Sequence, residues 1–298
     1  MKNEKVNSVE EAWETLTFAN NFIFCKIMES NPELCKHLLE ILLHIEIDHL
    51  EKPAAEKTLK ESIDSKSVRF DVYTKDKTRI FDLEIQTVDK KNLPKRARYY
   101  QSLIDTSNLS AGVNYNNLKD TYVIFLCLDD IFHYGLPVYT FENLCLENNQ
   151  IKLKDGSFKV FFNAKDCDKL KSIEEKAFFR FLKGGKADND FTKDLETKLS
   201  FARKNSEWRR QYMTWQQTIM DERYWARLEG HDEGYSEGRE EGLIKGREEG
   251  LAEGRAEGIT EGAYTKSIET AKTMLADNVP AEQVAKWTSL SLEEIKSL

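Results

Sequence analysis

The chain has 298 residues, 40% of them hydrophobic and 32% charged, with a formal net charge of −8; this bounds it to one large or two smaller soluble domains with a real core. No run approaches the roughly 18 to 20 consecutive apolar residues that a membrane span needs, and residues 1–6 carry no apolar signal segment. The expectation is a cytoplasmic protein with no membrane partner. Cys25, Cys35, Cys127, Cys145 and Cys167 are scattered and never form Cys-x-x-Cys, which argues against a zinc or disulfide framework and suits reduced thiols in a packed interior.

Phe18, Phe22, Ile23 and Ile27, then Leu34, Leu38, Leu39 and Leu42, recur at spacings of three and four, which predicts helices over about 17–28 and 32–43. Pro32 suits the first turn of the second, with Ser30 or Asn31 as N-cap. A polar stretch over about 51–65 leads into two runs, 67–74 and 79–86, that read as strands of a hairpin. A helix follows from 93 to about 106, then a buried strand at 121–128 from its continuous apolar, β-favouring content. Further strands are expected at 136–141 and 158–162 and a helix at 172–182. Gly184 and Gly185 read as a break, and from about Asp190 the pattern is helical nearly to the end. Helix, helix, hairpin, helix, strand is a layered α/β order.

The tail holds the one internal repeat. Glycine recurs every fourth residue from Gly230 to Gly262, preceded by Glu except at Gly246, which follows Lys245. On a helix this makes a stripe that precesses by about 40° per step, at about 1 kcal/mol per glycine relative to alanine. Close approach of a partner helix would compensate; a solvated, disordered acidic spacer is the alternative. After Tyr264, helices at 268–275, 281–287 and 291–298 have a helix-turn-helix outline. The third offers Glu293, Glu294 and Lys296 but no Arg or Asn to read bases, so a docking or oligomerisation element fits better.

Residues 229–262 hold 11 acids and 4 bases, a net of −7, leaving the rest of the chain at −1. The acidity belongs to the tail, and a nucleic-acid partner for the body is not excluded. Lys90, Lys91, Lys95, Arg96 and Arg98 form a cluster with no acid between them, fit either for phosphate or for a solvated helix face.

Alternation along 79–86 puts Asp82, Glu84 and Gln86 on one strand face and Phe81, Leu83 and Ile85 on the other. Two acids and an amide side by side on a sheet are costly to bury unless a cation or hydrogen-bond partners compensate. Asp71, one strand earlier, would complete a metal site. Magnesium typically takes one or two carboxylates, with water and phosphate filling the rest. Asp71 and Glu84 match that demand, and the Ile85 carbonyl is a natural third ligand. Gln86 does not titrate near neutral pH but can orient a water or a phosphate oxygen. The following helix would bring Lys95, Arg96, Arg98 and Gln101 toward the same edge, where positive charge serves phosphodiester hydrolysis. The plainer alternatives are an edge-strand Asp71, a Glu84 paired to Arg69 or Arg79, and an Asp82 that caps the hairpin.

The segments 18–26, Arg69-Phe-Asp71-Val, Asp82-Leu-Glu84-Ile-Gln86 and Arg96-Ala-Arg98-Tyr-Tyr100 together resemble the PD-(D/E)XK nuclease superfamily. More narrowly, they are similar to its recombination-promoting nuclease or transposase family, with a D…ExQ variant of the motif. The resemblance implies a restriction-endonuclease-like central mixed sheet flanked by helices, magnesium-dependent DNA endonuclease activity and a link to DNA mobility or recombination. It carries Asp71 and Glu84 over as metal ligands and Gln86 into the usual lysine position. Where relatives often have an aspartate ahead of the Phe-x-Phe-x-Lys element, this chain has Asn20 and Asn21. The expected organisation is a nuclease domain over 1–204, a glycine-striped helix over 205–264 that makes a homo-oligomer, and a small helical element over 265–298. A non-catalytic assembly or regulatory protein, with a degenerate nuclease fold as scaffold and the glycine-striped helix as its binding element, is the rival reading.

Overall fold

The computed structural model describes residues 13–59, 68–88 and 91–298. Lys90 of the basic cluster, the first residue of the 67–74 strand and the extreme N-terminus lie outside these residues. Helices α1 (Asn21–Ser30) and α2 (Pro32–Leu43) open the described fold. The Asn20 side chain accepts from the Ile23 amide at 3.2 Å and caps α1. Pro32 starts α2, but Asn31 does not cap it by side chain: its amide donates back to the Ile27 carbonyl at 2.8 Å.

Six strands make one mixed sheet in the order β1-β2-β3-β4-β6-β5. They are β1 (Ala54–Leu59), β2 (Val68–Lys75), β3 (Arg79–Gln86), β4 (Asp120–Cys127), β5 (Val138–Phe141) and β6 (Ser157–Asn163). β3, β4 and β6 run parallel; β1, β2 and β5 are antiparallel to their neighbours. The polar stretch expected as a connector contains edge strand β1, whose residues are mostly half-buried, so no apolar alternation marks it. The hairpin turn is held by Asp76, which accepts from the amides of Thr78 at 2.8 Å and Arg79 at 2.6 Å. β5 starts two residues after the expected position, because Asn163 donates its amide to the Pro137 carbonyl and that proline offers no N–H to a ladder.

Each sheet face has its own core. Val72, Phe81, Leu83, Ile85, Ile124 and Phe162 pack with α1, α2, α4 (Ile173–Leu182) and α5 (Asp190–Lys204). On the other face Phe70, Tyr73, Ile80, Val123, Phe125 and Phe161 pack with α3 (Leu93–Asn108), whose Leu93, Ala97, Tyr100, Leu103 and Ile104 recur at helical spacing. Asp82, Glu84 and Gln86 alternate with Phe81, Leu83 and Ile85 and therefore lie on the α3 face.

The helical stretch from Asp190 is interrupted at Asn205, whose side chain accepts from the amides of Glu207 and Trp208 and caps a new helix, α6 (Ser206–Ala276). The chain divides into two compact units, residues 1–216 and 217–298. The first turns of α6 belong to the first unit: Tyr212 packs against Trp13 and Phe22 with ring centroids at 5.2 and 5.5 Å, and Trp215 joins Phe22 at 6.1 Å.

In the second unit, the separate helix expected at 268–275 is the end of α6. It packs with α7 (Ala281–Thr288) and α8 (Leu292–Lys296) around Ala271, Val284, Leu290 and Ile295. Ser291 and Glu294 cap α8 reciprocally. Among the described residues no helix is long and apolar enough to cross a membrane.

Candidate active site

The β2–β3 ladder runs from Lys75↔Ile80 to Val72↔Leu83 and stops before Asp71. Beyond it, side chains replace the backbone pairing. The Asp71 amide donates to Glu84 Oε1 at 2.8 Å, and the Ile85 amide donates to Asp71 Oδ2 at 3.0 Å. In an extended strand a residue's carbonyl points the same way as its amide, so the Ile85 carbonyl also faces the Asp71 side. The opening is matched on β1, where Glu56 sits opposite Asp71 at φ 55° and the paired register skips both residues. A glutamate held in the left-handed region is a strained position, of the kind found around functional sites.

Helix α1 supports Asp71 from the other side. Asn21 Nδ2 donates to Asp71 Oδ1 at 2.5 Å. The Cys25 thiol, one turn later, lies within hydrogen-bonding reach of the Asp71 carbonyl at 3.1 Å and of Asn21 Oδ1 at 3.2 Å. Burial, then the Asp71 charge, raises the Cys25 pKa well above its ordinary value, so this thiol stays a donor. The sequence reading placed Cys25 in the interior without this role. The legible signal was its spacing of four from Asn21, which puts both on one helix face.

From α3, Arg96 Nη1 donates to Gln86 Oε1 at 2.9 Å, and Nη2 reaches Glu84 Oε2 at 3.2 Å and Tyr100 Oη at 3.0 Å. Its guanidinium also lies over the Tyr100 and Phe125 rings, 5.3 and 5.5 Å from the centroids. Gln86 Nε2 donates to the Val88 carbonyl, which fixes the carboxamide with its oxygen toward Arg96. The alternative partners of Glu84 are engaged elsewhere: Arg69 pairs with Glu56, and Arg79 with Asp76.

Three acids lie in the field of one guanidinium, which touches Glu84 alone of the three. Burial raises the pKa of Asp71, and raises those of Glu84 and Asp82 well above the ordinary carboxylate range; their mutual repulsion adds to the effect on the latter two. Burial opposes the charge of Arg96, yet Tyr100, Glu84 and Asp71 hold its pKa above normal. Asp82 is fully buried, and neither of its oxygens meets a donor. Glu84 is the charge that acts on it most strongly, and with both oxygens buried Asp82 neither caps the hairpin nor stands at an exposed mouth.

Among the described residues no three His, Cys, Asp or Glu side chains converge on one point. The donor set that fits a metal is smaller: two carboxylates from adjacent strands and one backbone carbonyl, a complement suited to a hard divalent cation that keeps several waters. The excess of buried negative charge points the same way. Of the basic residues, Lys95 and Arg96 line one cleft with Arg69, whereas Arg98 is exposed outside it. Gln101 is not brought to this edge; it is buried and donates to Asp105 at 3.2 Å.

A mixed six-stranded sheet flanked by helices is consistent with the PD-(D/E)XK α/β fold. The family model described as "PD-(D/E)XK nuclease family transposase" matches residues 18–223, and the chain belongs to that family. No curated protein and no solved structure matches the chain.

Proposed function

We propose that the chain is a divalent-metal-dependent DNA endonuclease, acting in recombination or DNA mobility, with Asp71, Glu84 and the Ile85 carbonyl as protein ligands and magnesium as the cation. The observation that carries this reading is the reciprocal lock between Asp71 and the Glu84–Ile85 segment, which aligns a half-buried and a buried carboxylate where the ladder opens. Magnesium bound there would supply charge neutralisation and a water of lowered pKa.

The chain's own residues do the rest. Asn21 orients Asp71, and Gln86 orients Arg96. Arg96 provides the positive charge that Gln86 lacks, and its planar fork suits a phosphate oxygen. Lys95 and Arg98 attract the flanking backbone electrostatically. The glycine-striped helix assembles copies of the chain.

Replacing Asp71 or Glu84 by Ala should abolish magnesium-dependent nicking of supercoiled plasmid; if both variants cleave like the parent, the assignment is wrong. One observation favours the rival, non-catalytic reading: the Arg96 guanidinium already pairs directly with Glu84 and could neutralise it permanently. A parent protein that neither nicks DNA nor gains thermal stability from magnesium would support that rival.

A further inference from the structure

A cleft of about 540 Å³ opens beside the carboxylates, and Arg69, Asn92, Lys95, Arg96, Tyr99 and Tyr100 line it. We propose that it holds an unpaired nucleotide, so that the strand presented to Asp71 and Glu84 is single-stranded at that position; this rests on the nuclease reading above.

Three features argue for it. The lining sets exposed Lys95, together with Arg69 and Arg96 that also pair with Glu56 and Glu84, beside the Tyr99 ring; cations beside an aromatic ring are the combination that tracks a phosphate backbone while stacking a base without regard to sequence. The cleft's volume of about 540 Å³ is that of a site for one small-molecule-sized group such as a single nucleotide, not for a whole duplex. Arg96 belongs to both places. It lines the cleft while bonding Glu84 and Gln86, so a phosphate that follows a base held there comes within reach of the arginine that touches the carboxylates. Tyr100 is buried and its hydroxyl accepts from Arg96, which makes it the fixed wall. Tyr99 is half-buried on the cleft and is the ring whose replacement tests stacking.

The experiment is fluorescence anisotropy with the full chain in EDTA, using a labelled single strand of about 12 nucleotides and a blunt duplex of the same sequence, with free dTMP as competitor. The parent should bind the single strand at least about fivefold more tightly than the duplex. Tyr99→Ala should weaken single-strand binding about fivefold or more and leave duplex binding unchanged, and Tyr99→Phe should behave as the parent. Equal affinity for strand and duplex, or a Tyr99→Ala variant of native circular dichroism that binds the strand like the parent, would overturn the proposal. So would dTMP binding as tightly as the strand, since the cleft would then take a free nucleotide. Binding is read without metal, so a failure of cleavage does not enter the result. A parent that nicks plasmid yet shows no strand preference loses only the cleft proposal.

Discussion

Glutamate is used in two opposite ways in this molecule. In the α/β unit, Glu84 and its neighbour Asp82 are buried to 2% and 0% exposure in a patch with one cation, an arrangement that costs stability and persists because the sheet around it over-determines it. In the helical unit the glutamates that precede every striped glycine but Gly246 are exposed, cost nothing to solvate and leave the helix without a core until Ala271. Buried charge therefore marks a site, while the far more numerous exposed charges mark only a solvated surface. Each prediction below breaks or sharpens that contrast.

The largest expected effect follows from removing a carboxylate at the β2–β3 opening, half-buried Asp71 or buried Glu84. Asp71→Ala and Glu84→Ala should lower magnesium-dependent plasmid nicking by about a hundredfold or more, with melting temperature unchanged or raised because an under-compensated charge leaves with the side chain. Changing exposed Glu241 or Glu249 to Ala should alter neither quantity. If the tail substitutions cost as much activity as the site substitutions, the contrast is broken.

The boundary between the two units gives the next largest effect. The family match extends past the expected boundary at Lys204 to residue 223, and Tyr212 is buried at 5% exposure against Trp13 and Phe22. A version of the chain ending at Lys204 removes Trp208, Tyr212 and Trp215 from that core and should lose about 3–5 kcal/mol or more. A version ending near Arg223 should melt like the parent's first transition. Thermal melts of the two decide it, and equal melting temperatures would place those aromatics outside the cooperative unit.

Much of the sheet and half of the site were legible in the sequence, for physical reasons that differ by residue. The alternation of Asp82, Glu84 and Gln86 with apolar residues is a period-two signal that assigns faces unambiguously. Asp71, by contrast, sits where the pleat switches: Phe70 and Tyr73 face one core while Val72 faces the other. Periodicity carries no information about such a switch, and only the pairing register reveals it. β1 was hidden because an edge strand with half-buried polar residues has no alternation to read. Arg96 was legible as a cation but not as the one cation turned inward, since that choice depends on the packing of α3 against Phe125.

The pKa directions in the site set a smaller effect. Asp71, Asp82 and Glu84 are all raised above their unfolded values, which lie near about 4. Such groups contribute stability that is fully present below the unfolded pKa and lost as pH rises through the raised folded pKa. The metal-free protein should therefore be more stable at mildly acidic than at alkaline pH, with part of that slope due to this cluster. Asp82→Asn should flatten the slope and stabilise the protein at pH about 8 by about 1 kcal/mol or more, because its amide can donate to Glu84 where two carboxylates repel. Magnesium should raise the parent's melting temperature more at the higher pH. A slope unchanged by Asp82→Asn would remove Asp82 from the titrating cluster. The exposed glutamates of the tail supply a control, since removing one should leave the slope as it is.

The smallest effect tests what the tail is for. A Cβ built on Gly242 or Gly246 meets nothing within 4 Å, so Gly242→Ala and Gly246→Ala are sterically free within one chain and should each favour the helix by about 1 kcal/mol. If the stripe is an interface between copies, the same methyl groups hold the two backbones apart, and association weakens while helicity holds or rises. Light scattering and far-ultraviolet circular dichroism on the double variant separate the cases. The expected outcome is a smaller species with undiminished helical signal. Retention of the parent's oligomeric state together with a gain in helicity would show that the glycines face solvent. The stripe would then do for the tail only what its glutamates do, keeping it solvated, and the two units would differ in that one has a site and the other a spacer.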